Sequence, residues 1–235
     1  MASFIIRSLP NTITCCNLIS GCIATMMAFD GKPEMALLFI IIGAIFDFFD
    51  GFTARMLHVS SSIGKELDSL ADDITFGFAP AAIVFRLLKE NPFCCEGWTE
   101  FLPYCAFLIA AFSALRLAIF NLDERQKSSF IGLPTPANAL FWGAFVIGFP
   151  QEFLLSEPGL YLLLALILIS CAMLVSNIPM FALKFKNFSL RDNWLRYMFL
   201  LTSLILIIVL RTQGIALTIV WYILLSALTQ KRSQA

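Results

Sequence analysis

The sequence predicts an all-α integral membrane protein with about eight transmembrane helices. Hydrophobic residues make up 59% of its 235 residues and charged residues only 14%, and the mean hydropathy is +0.84. An average soluble domain is less apolar, and about a quarter of its residues are charged. The apolar residues also form long runs, each close to the length that a helix needs to cross a hydrocarbon core of about 30 Å. The formal net charge of zero argues against a basic surface for nucleic acid.

Eight apolar segments follow one another along the chain, and polar connectors that contain Gly, Pro or charged residues separate them. The segments run at approximately 12–30, 35–56, 66–88, 100–121, 135–150, 159–181, 195–211 and 214–230. The stretch MASFIIRSLP before them ends in Pro10, a helix breaker, and is predicted to be a short interfacial lead-in. No connector is long enough to divide domains, so we expect residues 1–235 to form a single membrane domain.

The distribution of basic residues predicts that both termini lie in the cytoplasm, because cytoplasmic loops carry an excess of Lys and Arg. With a cytoplasmic N-terminus, twelve of the sixteen basic residues fall on the inner side of the membrane. The four that fall on the outer side are Lys32, Arg86, Lys89 and Arg211. We therefore expect a multi-pass protein of the bacterial cell membrane, with the connector between its second and third segments in the cytoplasm.

The second and third segments carry an unusual set of acids, which are Asp47, Asp50, Asp68, Asp72 and Asp73. A carboxylate near the middle of a bilayer costs about 2.5–3.5 kcal/mol on insertion scales. Residues three or four apart share one face of a helix, so Asp47 lies with Asp50 and Asp68 lies with Asp72. Because the connector between the two segments is short, we expect them to pack as an antiparallel hairpin whose acidic faces meet.

Carboxylates that converge in this way would repel one another unless cations lay between them. Oxygen ligands without a cluster of Cys or His suit Mg²⁺ or Mn²⁺, and Ca²⁺ less well. On the same faces, Gly51, Ala54 and Gly64 leave space for a ligand or a helix backbone, and Arg55 could hold a phosphate in bidentate fashion. The whole set therefore predicts a metal-dependent diphosphate site. For any one of these residues, a buried Asp–Arg pair or simple helix packing explains it equally well. His58 is expected to be solvated.

These residues form a recognisable motif. The strings DFFDGFTAR (47–55) and GKELDSLAD (64–72) are separated by eight residues, and together they resemble the CDP-alcohol phosphotransferase signature DxxDGxxAR followed by GxxxDxxxD. The resemblance implies a helical membrane enzyme, commonly a homodimer, in which an alcohol displaces CMP from a CDP-linked substrate. It implies two divalent cations bound by Asp47, Asp50, Asp68 and Asp72. It also implies that Asp72 is the general base and that the CDP pocket is lined by Gly51, Ala54, Arg55 and Gly64.

Three further stretches resemble the phosphatidylserine synthase branch of that family. They are PNTITCCNLISG from Pro10, RLAIFN from Arg116 with FIGLPTPANA from Phe130, and LVSNIPMFALK from Leu174. Leu115 stands where that branch often has Ala. The branch transfers the phosphatidyl group of CDP-diacylglycerol to L-serine, so the resemblance implies phosphatidylserine and CMP as products.

A serine pocket needs a cation for the carboxylate of serine and an acceptor for its ammonium group. The candidates for binding the acceptor or a phosphate are Arg116, Asn121, Arg125, Lys127 and Thr135, and Glu124 or Asp73 could receive the ammonium group. Arg116 is the strongest of them, because it lies one turn inside an apolar helix. Arg125 and Lys127 could equally belong to an ordinary positive-inside loop.

Three of the candidates have a second explanation at a helix end. Thr135 could cap the fifth segment, with Pro136 in its first turn. Asn11 and Thr14 could hydrogen-bond the nucleotide or could cap the first segment. The sequence alone leaves both explanations open.

Two other functions fit parts of the pattern. The same chemistry could use glycerol 3-phosphate or inositol phosphate as the acceptor, with KFKNFSLR as the basic cluster for the extra phosphate. A cation transporter would also place acids in the membrane. Transporters, however, usually show internal repeats or broken helices near the midplane, and neither is evident in this sequence.

Overall fold

The computed structural model describes residues 2–59, 61–94, 97–123, 130–181, 189 and 193–233, and these residues are mostly helical. The α-helices are α1 (Ala2–Phe29), α2 (Pro33–Met56), α3 (Ser62–Asp72), α4 (Ala79–Glu90), α5 (Leu108–Leu122), α6 (Thr135–Gly148), α7 (Gln151–Leu154), α8 (Glu157–Leu174), α9 (Trp194–Leu210) and α10 (Thr212–Ser233). A π-helical turn, Asp73–Phe78, joins α3 to α4. Two 3₁₀ helices, Pro92–Cys94 and Gly97–Phe107, precede α5. The strands β1 (Phe130–Ile131) and β2 (Pro179–Met180) are short.

The helices confirm an all-α integral membrane protein. Within the described ranges, five helical stretches are long and apolar enough to cross a bilayer, namely 8–29, 33–56, 97–122, 157–174 and 212–229. Helix α9 is apolar but shorter. Many large apolar side chains point outward from the fold, and on α9 the side chains of Ile208 and Val209 are each 69% exposed. Such a surface would be unfavourable in water and suits contact with lipid. The number of crossings and the side of the termini remain predictions.

The start of the first helix differs from the prediction. The lead-in MASFIIRSLP is not a separate segment, because α1 begins at Ala2 and contains Pro10. A proline removes one backbone N–H from a helix, but a membrane helix tolerates it when neighbouring groups compensate. Asn11 and Thr14 therefore lie well inside α1, and neither of them caps a helix start.

The predicted hairpin of α2 and α3 is also wrong in one respect. The two helices make few direct contacts along the described residues, and α1 packs against both of them. Helix α1 approaches α2 and the π-helical turn very closely. A Cβ atom on Gly21 of α1 would clash with Thr75 of the turn, and one on Gly43 of α2 would lie 2.9 Å from Asn17 Oδ1 of α1. Repulsion between the carboxylates on α2 and α3 opposes close packing of these two helices, and the open space between them forms a pocket.

The two strands tie together two stretches that lie far apart in sequence. β1 and β2 pair antiparallel, with Phe130 opposite Met180. The loop beside them needs Gly132, whose φ is +76° and whose Cβ would lie 2.6 Å from the carbonyl oxygen of Leu174. Leu133, the next residue, is buried in a small apolar cluster with Tyr222 from α10. The loop before α6 is therefore held by α8, β2 and α10.

Candidate active site

Three of the four predicted metal ligands come together at the ends of α2 and α3. Single carboxylate oxygens of Asp47, Asp50 and Asp68 all lie within 4.8 Å of one another. Asp68 Oδ1 is buried and has no hydrogen-bond partner. No described lysine or arginine forms a salt bridge with these acids. The explanation as buried Asp–Arg pairs therefore fails for them, and a divalent cation suits the all-oxygen cluster.

Asp50 is held in place by a threonine from α1. The Thr14 hydroxyl is buried and lies 2.6 Å from Asp50 Oδ2, to which it donates a hydrogen bond, and 3.1 Å from the carbonyl oxygen of Pro10. A hydrogen bond to an ionised carboxylate is short and strong, and it fixes the direction in which the carboxylate points. Thr14 thus orients a candidate metal ligand, which is a role that its sequence position did not reveal.

Asp72 lies one turn beyond Asp68 and outside the group of three acids. Its Oδ1 accepts a hydrogen bond from Asn17 Nδ2 at 3.1 Å. Asn17 is fully buried in α1, and its own backbone oxygen accepts a hydrogen bond from the Thr75 hydroxyl. Sequence reasoning missed Asn17. The available signal was its spacing from Thr14, because a buried amide one turn along the same membrane helix is a functional candidate.

A pocket of about 590 Å³ opens beside the acids, and this volume is within the usual range for small-molecule sites. It is lined by Pro10, Asn11, Thr14, Asp50, Gly51, Ala54, His58, Val59, Ser61, Gly64, Lys65 and Asp68. The structure thus brings together five of the six predicted CDP-binding residues. The sixth is Arg55. A Cβ atom built on Gly51, which lines the pocket, would lie 3.5 Å from the Arg55 guanidinium, so Arg55 lies close to that wall of the pocket.

Gly64 is a position where the lack of a side chain matters. A Cβ atom there would lie 2.9 Å from Asn11 Oδ1 and 2.9 Å from Ser61 Oγ. Ser61 is the N-cap of α3, and its hydroxyl accepts a hydrogen bond from the Gly64 backbone N–H. The glycine thus allows α1 and the first turn of α3 to approach each other at the pocket.

Arg116 on α5 and Thr135 on α6 lie together. Arg116 is only 6% exposed, and its Nη1 lies 3.5 Å from Thr135 Oγ1. Its guanidinium also lies 5.7 Å from the centre of the Phe120 ring. Arg116 Nε is buried and has no hydrogen-bond partner. The capping explanation for Thr135 is wrong, because Pro134 is the N-cap of α6 and Thr135 makes no side-chain cap bond.

The other predicted acceptor residues are less directly placed. Asn121 Nδ2 donates to Ser69 Oγ at 2.8 Å, and the Asn121 carbonyl oxygen accepts a hydrogen bond from Lys65 Nζ at 2.9 Å. Asn121 therefore joins the end of α5 to α3, and Lys65 links this junction to the pocket. Glu124, Arg125 and Lys127 lie outside the described residues.

Comparison with known proteins identifies the family. Residues 7–177 match the sequence profile described as CDP-alcohol phosphatidyltransferase. The chain belongs to the CDP-alcohol phosphatidyltransferase family. This confirms the resemblance carried by the aspartate motif, and the matched range includes most of α1, with Asn17, as well as the motif itself.

Several relatives of this family member are named CDP-diacylglycerol–serine O-phosphatidyltransferase. The Bacillus subtilis protein is 36% identical over 132 residues, which are 54% of this chain and 69% of that protein. The Helicobacter pylori protein is 31% identical over 202 residues, which are 85% of this chain and 80% of that protein. The Mycobacterium leprae protein is 34% identical over 143 residues, and the similarity spans only 45% of its length.

Proposed function

We propose that the protein is a CDP-diacylglycerol–serine O-phosphatidyltransferase. The hydroxyl oxygen of L-serine attacks the phosphorus that carries the diacylglycerol group, the bond from that phosphorus to CMP breaks, and phosphatidylserine and CMP are formed. The observation that carries the proposal is the convergence of Asp47, Asp50 and Asp68 beside a pocket. The relatives of that name support serine as the acceptor.

The acids are the residues that would hold metal. Asp47, Asp50, Asp68 and Asp72 would bind two divalent cations, and we propose Mg²⁺ or Mn²⁺ because all the ligands are hard oxygens. The unpartnered, buried Asp68 Oδ1 fits this assignment. When bound, such cations neutralise the negative charge of a diphosphate and of the departing phosphate.

The pocket residues bind the donor. The small residues Gly51, Ala54 and Gly64 let the nucleotide approach the helix backbones, and Asn11 offers hydrogen bonds to it. The Arg55 guanidinium lies near the same wall and can pair with a phosphate. The acyl chains of the donor stay in the surrounding lipid while the CMP part occupies the pocket.

Asp72 acts as the general base. A carboxylate within hydrogen-bond reach of the attacking hydroxyl can accept its proton as the new bond forms. Asn17 donates to one oxygen of Asp72, so it fixes the orientation of the carboxylate and leaves the other oxygen for the proton. Because Asn17 is fully buried within closely packed helices, this orientation is set before the substrates bind.

Arg116 binds the carboxylate of serine. It is a buried cation without a salt bridge among the described residues. Thr135 supports one of its nitrogens, and Asn121 keeps α5 beside α3. Arg125 and Lys127, from the loop after α5, are assigned to the same acceptor region.

The active site faces the cytoplasm, as the basic residues predict, so that serine enters from and CMP leaves to the same aqueous side. The chain forms one membrane domain of residues 1–235 with both termini cytoplasmic, and it acts as a homodimer. These assignments rest on the charge pattern and on the family resemblance.

The experiment that tests this function measures CMP release by the purified protein in detergent with CDP-diacylglycerol and Mg²⁺ or Mn²⁺. Release should require L-serine and should disappear in Asp72→Asn. Release with glycerol 3-phosphate or inositol phosphate but not with serine would overturn the assigned acceptor. No metal-dependent release with any of these alcohols would overturn the enzyme assignment itself.

A further inference from the structure

The donor pocket contains one cation that no step of the proposed reaction uses. Among the described residues that line the pocket, Lys65 is the only lysine or arginine. It lies near the start of α3, directly after Gly64, and it is exposed. An exposed lysine is often simply solvated, so the contacts of Lys65 decide whether it has a function.

The end of α5 holds this lysine in place. Lys65 Nζ lies 2.9 Å from the backbone carbonyl oxygen of Asn121, to which it donates a hydrogen bond. Asn121 lies in the last turn of α5, where the helix dipole attracts a cation. The Asn121 side chain in turn donates to Ser69 Oγ on α3 at 2.8 Å. The ammonium group therefore has a defined position, and two of its three N–H groups remain for another partner.

The nearest acid of the metal cluster does not pair with this lysine. Lys65 and Asp68 are three residues apart and both line the pocket, and opposite charges at this spacing on a helix attract each other. No salt bridge joins them within the described ranges. Asp68 Oδ1 instead stays buried without a hydrogen-bond partner. The pocket thus keeps its lysine apart from its carboxylates, and this separation suits a negatively charged ligand that lies beside metal-bound acids.

The order of the groups along α3 indicates which part of the donor meets the lysine. At a rise of about 1.5 Å per residue, Lys65 lies about 4.5 Å from Asp68 along the helix axis, and Asp72 lies about 6 Å from Asp68 in the other direction. Asp72, as the proposed base, must lie near the phosphorus that serine attacks. The other phosphorus of the donor, which belongs to CMP, then lies toward Lys65, and the nucleoside lies beyond it, toward Ser61 and Asn11.

We propose that Lys65 binds the phosphate that leaves with CMP, through a charge-assisted hydrogen bond from its ammonium group. This assignment rests on the proposed function and adds a cation outside the aspartate motif to the donor site. The phosphate is charged both before and after the transfer. Lys65 therefore stabilises the bound donor and the bound product alike, and it contributes to affinity more than to rate.

The test compares the binding of CMP with that of cytidine, which is CMP without its phosphate. Titration calorimetry of the full-length protein in detergent with Mn²⁺ gives the Kd of each for the wild type, for the uncharged variants Lys65→Gln and Lys65→Met, and for Lys65→Arg, which keeps the charge. Assays of CMP release give the KM for CDP-diacylglycerol and for serine.

Two control variants separate the charge of Lys65 from other effects. Lys32→Gln removes an exposed lysine that pairs with Asp30 and precedes α2, at the end of that helix far from the pocket. Ser69→Ala removes the other hydrogen bond between α3 and the end of α5, and it changes no charge.

In Lys65→Gln and Lys65→Met, the Kd for CMP and the KM for CDP-diacylglycerol should rise about tenfold, because a charge-assisted hydrogen bond is lost. The Kd for cytidine and the KM for serine should stay within about twofold of the wild type, and kcat within about threefold. Lys65→Arg should bind CMP within about threefold of the wild type, because a guanidinium also pairs with phosphate. Both controls should bind CMP as the wild type does.

The outcomes separate this inference from the proposed function. An unchanged Kd for CMP in the uncharged variants would overturn the role of Lys65. An equal rise for CMP and cytidine would also overturn it, because the effect would not depend on the phosphate. The same rise in Ser69→Ala would overturn it in favour of a structural role at the junction of α3 and α5. A wild type that binds CMP but transfers nothing to serine would overturn the proposed function, while the titrations would still decide whether Lys65 binds the phosphate.

Discussion

The hydrogen bond between Thr14 and Asp50 offers the sharpest single perturbation of the site. Thr14→Val keeps the volume and the β-branching of the side chain and removes only its hydroxyl. The lost bond is the short one to Asp50 Oδ2, at 2.6 Å. A hydrogen bond to a charged group contributes about 1.5–3 kcal/mol, so the orientation of Asp50 should become much less restricted.

The expected effect is on metal binding more than on folding. Removing a residue that orients a metal ligand typically lowers metal affinity by about 10–100-fold. The concentration of Mg²⁺ or Mn²⁺ needed for half-maximal CMP release should therefore rise by about that factor in Thr14→Val. At saturating metal the rate should return to within about threefold of the wild type, because Thr14 does not touch the attacking hydroxyl in this mechanism.

The assay combines metal titrations of CMP release with direct Mn²⁺ binding followed by electron paramagnetic resonance. Thr25→Val is the matched control, since Thr25 is a buried threonine of the same helix whose hydroxyl donates only to the backbone oxygen of Gly21, at 3.0 Å. The control should titrate as the wild type does. Equal metal affinity in Thr14→Val and Thr25→Val would refute the view that Thr14 positions a metal ligand.

Three more predictions follow from single contacts. Asn17→Ala removes the hydrogen-bond donor to Asp72 and should lower kcat about tenfold or more at saturating metal and substrates. An unchanged kcat would contradict the proposal that Asn17 orients Asp72. Gly64→Ala places a methyl group 2.9 Å from Asn11 Oδ1, so the KM for CDP-diacylglycerol should rise severalfold in initial-rate measurements, whereas an unaltered KM would place the nucleotide elsewhere. Gly132→Ala would put a side chain at a left-handed φ and against the Leu174 carbonyl oxygen, so the free energy of unfolding should fall by about 1–3 kcal/mol. The measurement is the thermal unfolding midpoint in detergent, and a midpoint equal to that of the wild type would show that the loop can shift.

The helices and the acidic face could be predicted from the sequence because both are local patterns. Long runs of apolar residues predict membrane helices, although the sequence predicts eight segments and five described helical stretches are long and apolar enough to cross a bilayer. The spacing of Asp47 with Asp50 and of Asp68 with Asp72 predicts which carboxylates share a helix face. The expected convergence of acids from two helices is therefore present in the structure for Asp47, Asp50 and Asp68.

Asn11 and Thr14 of α1 are predicted to lie near the nucleotide, but the contacts of α1 with the acids could not be predicted, because they join residues far apart in sequence. Thr14 reaches Asp50 across 36 positions and Asn17 reaches Asp72 across 55. Local periodicity shows only that these side chains are polar residues on an apolar helix. The sequence could not decide between the two explanations of Thr135 for the same reason, because the partner of its hydroxyl is Arg116 on another helix.

The most direct test of the central claim is the transfer of radiolabelled L-serine into lipid by the purified protein with CDP-diacylglycerol. We expect labelled phosphatidylserine and an equal amount of CMP in the presence of Mg²⁺ or Mn²⁺, none after chelation with EDTA, and none in Asp68→Asn. Labelled lipid formed equally well in EDTA or in Asp68→Asn would contradict the assignment of these acids as the metal site of a phosphatidyltransferase.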